Sequence, residues 1–331
     1  MPDWPLSSLL SEPHLNPSLL RLCCCVCLLA ISQRPLASED YNFVQQGEID
    51  DPELAEVSGL AVSHRDAALF WVINDSGNPA VIYALDRSGK RHGSYELEGR
   101  NNHDFEDMVS YVGDQGPMLA VADCGDNLRW RRQIQLHVLA EPDPHQNGRA
   151  PVLRSYSLRY PDGARDCESL AYDPQTNELI LLEKAAGPSG VYALNLQGDA
   201  ELRRIATLPE RGLQPAPLVL PFSARYRGAL SAADISADGC QLLALTLSHV
   251  LIYRRRLAEP WEEALQRAAQ LYRLPLMRQP EAAAFDQAGQ VWVTGEQLPA
   301  PLLELQGPAS PATVATGPSA SSAPGSNGCV R

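Results

Sequence analysis

The chain has 331 residues and a mass of 36.1 kDa, long enough for two ordinary domains or one large all-β or α/β barrel-type domain. Its 40 Asp and Glu against 27 Lys and Arg give a formal charge of −13, and basic residues cluster only at Arg129 to Arg132 and Arg254 to Arg256, which disfavours a nucleic-acid partner. With 44% apolar and 20% charged residues the chain reads as globular, and its longest apolar run is too short to span a bilayer as a helix.

Leu22 to Ile31 is an apolar stretch behind Arg21, followed by small residues near Ala37 and Ser38. This fits the core and cleavage zone of a secretory leader over residues 1–37, predicting a secreted or periplasmic protein with no stable membrane insertion once the leader is removed. Four of the eight cysteines fall in that leader, leaving Cys124, Cys167, Cys240 and Cys329. One bridge is compatible with an oxidising compartment, and Cys124 with Cys167 is the first pair to consider, against the alternative of buried free thiols.

Between residues 38 and 306 one pattern recurs: EVSGLAV from Glu56, DFEDMVS from Asp104, DCESLAY from Asp166, AADISAD from Ala232 and PEAAAFD from Pro280. Aligning the polar positions puts Ser58, Glu106, Glu168, Asp234 and Glu281 in register, at intervals of about 45 to 65 residues. A β-like run follows each: LFWVI, MLAVA, LILLE, LLALT and VWVTG. These lead to polar residues at Asp75, Asp123, Glu183, Thr246 and Glu296. Turn signals such as NDSGN at Asn74, DPQTN at Asp173 and DQAG at Asp286 separate the strands.

Short strands repeated at this interval, almost without helix, predict an all-β fold, a β-propeller of five recognisable blades with room for a sixth in the longer intervals. The strand YNFVQQGEI at Tyr41 precedes the first unit, and the last unit is short of strands; pairing the two closes the ring. PWEEALQRAAQLY at Pro260 predicts one short insertion helix, with Trp261, Ala264, Leu265 and Ala268 on one face. From residue 307 to 331 the Gly, Pro, Ser and Ala composition predicts a disordered tail.

In a propeller, one repeat position becomes a ring around the axis, and here that ring is acidic. Glu106, Glu168, Asp234 and Glu281, with Asp75 and Asp123 nearby, form the predicted metal set, and Asp104, Asp107 and Asp166 lie beside three of them. Facing carboxylates repel, so they need a cation, basic partners or protons. Calcium suits a site built of hard oxygen ligands on semi-rigid loops. The alternative is structural, with the acids accepting backbone N–H groups of the adjacent blade. His103, Arg165 and Lys184 are cations or potential cations near these acids, the weak candidates for a catalytic role; an ion pair is the simpler reading for each. Outside the predicted leader the chain carries no GxSxG, CxxC, HExxH or P-loop pattern, and no Cys or His pair there has zinc spacing.

The strings SGLA with NDSG at Ser58 to Gly77, DFEDM at Asp104, DCGDN at Asp123, YPDGARDCES at Tyr160, ADISADG at Ala233 and PEAAAFD at Pro280 resemble a largely uncharacterised family of secreted bacterial β-propellers, related to the phytase-like and esterase-like propellers. The resemblance covers about Val57 to Leu305 and implies ligand or metal contacts at one mouth of the channel. Its phytase-like side implies calcium-assisted hydrolysis of phosphate esters. This chain departs from it in having few lysines, and in Phe105 and Cys124 where other residues are commoner. Three readings follow: a propeller binding a small ligand or calcium at the acidic mouth, a calcium-assisted phosphoesterase, and an envelope scaffold that presents a face to a protein partner.

Overall fold

A computed structural model describes residues 41–198, 200–209, 228–307 and 329. The predicted leader over 1–37 and, apart from Gly307 and Cys329, the predicted tail lie outside the described residues.

The strand β1 (Asn42–Ile49) comes before the repeats. Blade 1 contains β2 (Val57–Val62), β3 (Leu69–Asn74), β4 (Val81–Asp86) and β5 (Arg91–Leu97). Blade 2 contains β6 (Phe105–Gly113), β7 (Gly116–Asp123), β8 (Ile134–Ala140) and, after an excursion through β9 (Asn147–Ala150), β10 (Val152–Leu158). Blade 3 follows with β11 (Cys167–Asp173), β12 (Glu178–Glu183), β13 (Ser189–Asn195) and β14 (Arg203–Leu208). Blade 4 has β15 (Leu230–Ile235), β16 (Gln241–Thr246), β17 (His249–Arg254), the one-turn helix α1 (Trp261–Ala264) and β18 (Gln270–Arg273). Blade 5 takes β19 (Pro280–Phe285), β20 (Val291–Gly295) and β21 (Ala300–Gln306), with β1 antiparallel to β21 as its outermost strand. The described residues therefore form a five-bladed β-propeller whose last sheet is completed by the N-terminal strand.

The uninterrupted apolar runs follow from this geometry, because both faces of every blade are buried. Along β3, Phe70 and Val72 pack toward blade 5 while Trp71 and Ile73 pack toward blade 2. Along β12, Leu179 and Leu181 face blade 2 and Ile180 and Leu182 face blade 4. The same alternation in β7, β16 and β20 leaves one apolar core in each gap between neighbouring blades. A strand with period-two side chains can serve two cores only if both sets are apolar.

Two features depart from the sequence-based picture. The strand β9 lies parallel to β5 as a fifth strand of blade 1, so blade 2 reaches back across its neighbour. Glycine at position 93 permits the approach, since a Cβ there would stand 2.6 Å from the Pro144 carbonyl oxygen. The helix ends after one turn: Trp261, Ala264 and Leu265 are buried, but Ala268 is exposed. The basic run at Arg254 to Arg256 makes no exposed patch, because the Arg255 guanidinium is buried 2.6 Å from Asp173 of blade 3.

Of the two alternatives for Cys124 and Cys167 the structure shows buried free thiols, and the bridge lies elsewhere. Cys240 and Cys329 are bonded to each other, whereas Cys124 and Cys167 are free and buried, with their sulfur atoms 2.7 Å apart. Among the described residues no helix is long and apolar enough to cross a membrane.

Candidate functional site at the acidic channel mouth

The innermost strands β2, β6, β11, β15 and β19 each slip their pairing by one residue at the same place, between Val57 and Gly59, Phe105 and Asp107, Cys167 and Ser169, Leu230 and Ala232, and Pro280 and Ala282. A bulge takes its extra residue out of the ladder and re-aims the side chain. The extra residues are Ser58, Glu106, Glu168, Ser231 and Glu281. This corrects the register expected for blade 4: Ser231 holds the ring position, and Asp234 sits further along the channel.

The ring divides by chemistry. Ser58 Oγ donates to the Phe105 carbonyl at 3.0 Å and Ser231 Oγ to the Pro280 carbonyl at 2.9 Å, each reaching the residue just before the next blade's bulge. The other three ring positions, Glu106, Glu168 and Glu281, are carboxyl groups. A second tier comes from the residue after each second strand. The backbone N–H groups of Asp75, Cys124, Lys184 and Glu296 donate to the carbonyls of Glu56, Asp104, Asp166 and Gln279 at 2.8 to 3.1 Å. That shared bond sets Asp75, Lys184 and Glu296 at equivalent places beside the glutamate ring.

Asp75, Asp104 and Glu106 each offer one carboxylate oxygen, all within 4.8 Å of one another. Among the described residues none of the three has an ion-pair partner. Burial raises the Asp75 carboxyl to about 6, with Asp104 and Glu281 adding to the effect. Burial likewise raises Asp104, and it holds Glu106 well above the ordinary carboxylate range together with the charges of Glu168, Asp75 and Asp104. Gly125 borders this group so closely that a Cβ would overlap the oxygens of Glu106 and Asp104.

The rest of the mouth is partly neutralised. Lys184 Nζ lies 2.7 Å from Glu168 Oε1. Burial pushes Glu168 up to about 8 against the pull of that ammonium, while Lys184, despite burial, is held above its ordinary value by Glu168 and Glu281. Glu296 is raised to about 9 by burial and by Glu281, with which it shares a hydrogen bond. Gln279 Nε2 also donates to Glu296 at 2.6 Å.

The structure thus gathers Asp75, Glu106, Glu168, Glu281 and Lys184 at one mouth, and adds Asp104 and Glu296. Asp123 is a separate case: it is buried in the blade wall, 2.7 Å from Arg131 and 3.2 Å from His103 Nδ1. Arg165 is engaged by Asp162 at 3.0 Å and by Glu183 at 3.4 Å. Asp104 stands just ahead of the blade 2 bulge, and the DxE spacing of Asp104 and Glu106 is the signal that marks it. The all-oxygen donor set fits a hard cation, with six to eight oxygen ligands usual for calcium; three carboxylates leave most positions to water, carbonyls or a ligand.

A luciferin-regenerating enzyme structure is similar over 81% of this chain and 96% of its own, at 9% identity and a TM-score of 0.42. Comparison with curated proteins gave no match. The family model described as SdiA-regulated matches residues 34–303. The chain belongs to the SdiA-regulated family.

Proposed function

We propose that this propeller binds a hard divalent cation, calcium in the first instance, through Asp75, Asp104 and Glu106, and that the cation receives an oxygen-rich small ligand at the channel mouth. The observation that carries this reading is the convergence of three carboxylates within 4.8 Å with no cationic partner among the described residues. Like charges so close, and raised by burial, gain from a cation that removes their repulsion. Glu168, Glu281 and Lys184 surround that group and would contact whatever the cation holds.

Binding is favoured over phosphate-ester hydrolysis because Lys184, Arg165 and His103 are each committed to an acidic partner. The Cys240–Cys329 bridge supports an oxidising compartment, in keeping with a secreted or periplasmic location. Calorimetric titration with calcium, alongside thermal unfolding, tests the proposal. The native protein is expected to bind calcium and to gain about 2.7 kcal/mol of stability when the ion is at a hundredfold excess over Kd. Glu106→Gln is expected to weaken binding at least about tenfold. No heat and no thermal shift would leave the acids as structural and favour the scaffold reading.

A further inference from the structure

The channel has a second mouth. The five innermost strands run from the bulge ring to a cavity of about 340 Å³ at their other ends. Every blade contributes to its wall, through Val62, Val109, Tyr172, Ile235 and Phe285. This volume lies in the range of about 300 to 1,000 Å³ usual for small-molecule sites. The Tyr111 and Tyr172 rings stack at its side, 4.4 Å between centroids and 25° between planes.

The carboxyl groups of this wall, Asp234 and Asp286, have no Lys or Arg beside them in the lining. Asp234 is part of the lining, and each of its oxygens takes one backbone N–H, from Ile235 and from Phe285, both at 2.8 Å. A carboxylate oxygen has a second lone pair, so both atoms can accept again. No Lys or Arg lines the cavity; His64 is its one basic residue among those described. The other acid, Asp286, already accepts from Arg87 at 3.0 Å and from Trp292 Nε1 at 3.3 Å.

An anion would meet the acidic Asp234 here with no Lys or Arg in the lining to offset it, and a neutral apolar guest would strip water from it without return. A cation with an organic body does neither: its charge meets Asp234 while its hydrocarbon or aromatic part lies on the tyrosine stack and the aliphatic wall. We propose that the mouth opposite the acid ring is a binding site for a small organic ammonium ion, with Asp234 as its counter-charge and Tyr111 and Tyr172 as its aromatic wall. The site is independent of the calcium reading, since it shares no residue with Asp75, Asp104 and Glu106.

Phenethylammonium and phenethyl alcohol have the same body and differ in charge, so their affinities, measured by titration calorimetry at neutral pH in the presence of a chelator, test the site. The ammonium is expected to bind at least about tenfold tighter than the alcohol. Asp234→Asn should abolish that preference, Tyr172→Ala should weaken both probes, and Glu106→Gln should change neither. Equal affinities, a preference that survives Asp234→Asn, or no binding of the ammonium would overturn the proposal. If Asp234→Asn does not fold, the native comparison and Tyr172→Ala still decide: an ammonium preference weakened by Tyr172→Ala supports the site, and either result failing removes it.

Discussion

Asp107 and Asp234 make the same bridge at two successive levels of the channel. Asp107 accepts from its own neighbour Met108 and from Leu170 of the next blade, both at 2.8 Å, with Ala233 adding a third bond at 3.2 Å. Asp234 accepts from its neighbour Ile235 and from Phe285 of the next blade, again at 2.8 Å. An inner strand buried in a ring has amide groups that its own sheet leaves unpaired, and a short acidic side chain in the channel reaches them. Two kinds of acid therefore coexist: these bridges, and the converging group at the bulge mouth.

Removing the first bridge orphans buried donors, each costing about 1 to 3 kcal/mol. Asp107→Ala is therefore expected to lower the free energy of unfolding by about 3 kcal/mol or more. Equilibrium urea unfolding measures it. A loss below about 1 kcal/mol would show that the three bonds contribute little beyond their replacement by water.

His137 gives the fold a dependence on pH. It is buried on β8 beside Ser155, with its Nδ1 2.8 Å from the hydroxyl oxygen. Burial lowers its pKa from 6.5 to about 4. Between those values the unfolded chain takes up a proton that the folded chain refuses. The stability is complete above 6.5 and is lost as pH falls through the window toward about 4. Between about pH 7 and about pH 5 the native protein should lose about 2 kcal/mol more than His137→Gln. Parallel unfolding curves for the two proteins at both pH values would contradict this.

Much of the architecture is legible in the chain because a propeller repeats its instructions. The five apolar runs of the second strands, the turn strings between them and the orphan strand at Tyr41 specify blades, order and closure. The glutamates of blades 2, 3 and 5 are equally plain. Blade 4 is where the pattern misleads: AADISAD offers an aspartate that matches the other acids, while the true ring position is Ser231, a small polar residue between Leu230 and Ala232 that corresponds to Ser58 of blade 1. The bulge that sets the register is a property of pairing between strands, and no single residue type encodes it. The strand β9 escaped for a related reason, since NGRA has no β-like composition and its place depends on Gly93 across the gap.

Cys124 and Cys167 join blade 2 to blade 3 next to Glu106 and Glu168. Their sulfur separation of 2.7 Å is close enough for a bond to form between them when an oxidant reaches the pair. With oxidised glutathione, the two thiols lose two protons and two electrons to the reagent, which leaves as two glutathione thiols. Alkylation after denaturation, followed by mass spectrometry, should find both residues protected in the oxidised protein and modified in the reduced one. Both thiols remaining alkylatable after oxidation would show that burial prevents exchange. The thermal midpoint of the oxidised form should be higher, because the cross-link restricts the unfolded chain.

The acidic mouth is tested most directly by a crystal structure of the protein grown with calcium, with the ion located by its anomalous scattering. The account predicts a peak within about 2.3 to 2.6 Å of oxygens from Asp75, Asp104 and Glu106. A map with no peak at this mouth, or with calcium held elsewhere while these three carboxylates contact only water, would contradict it.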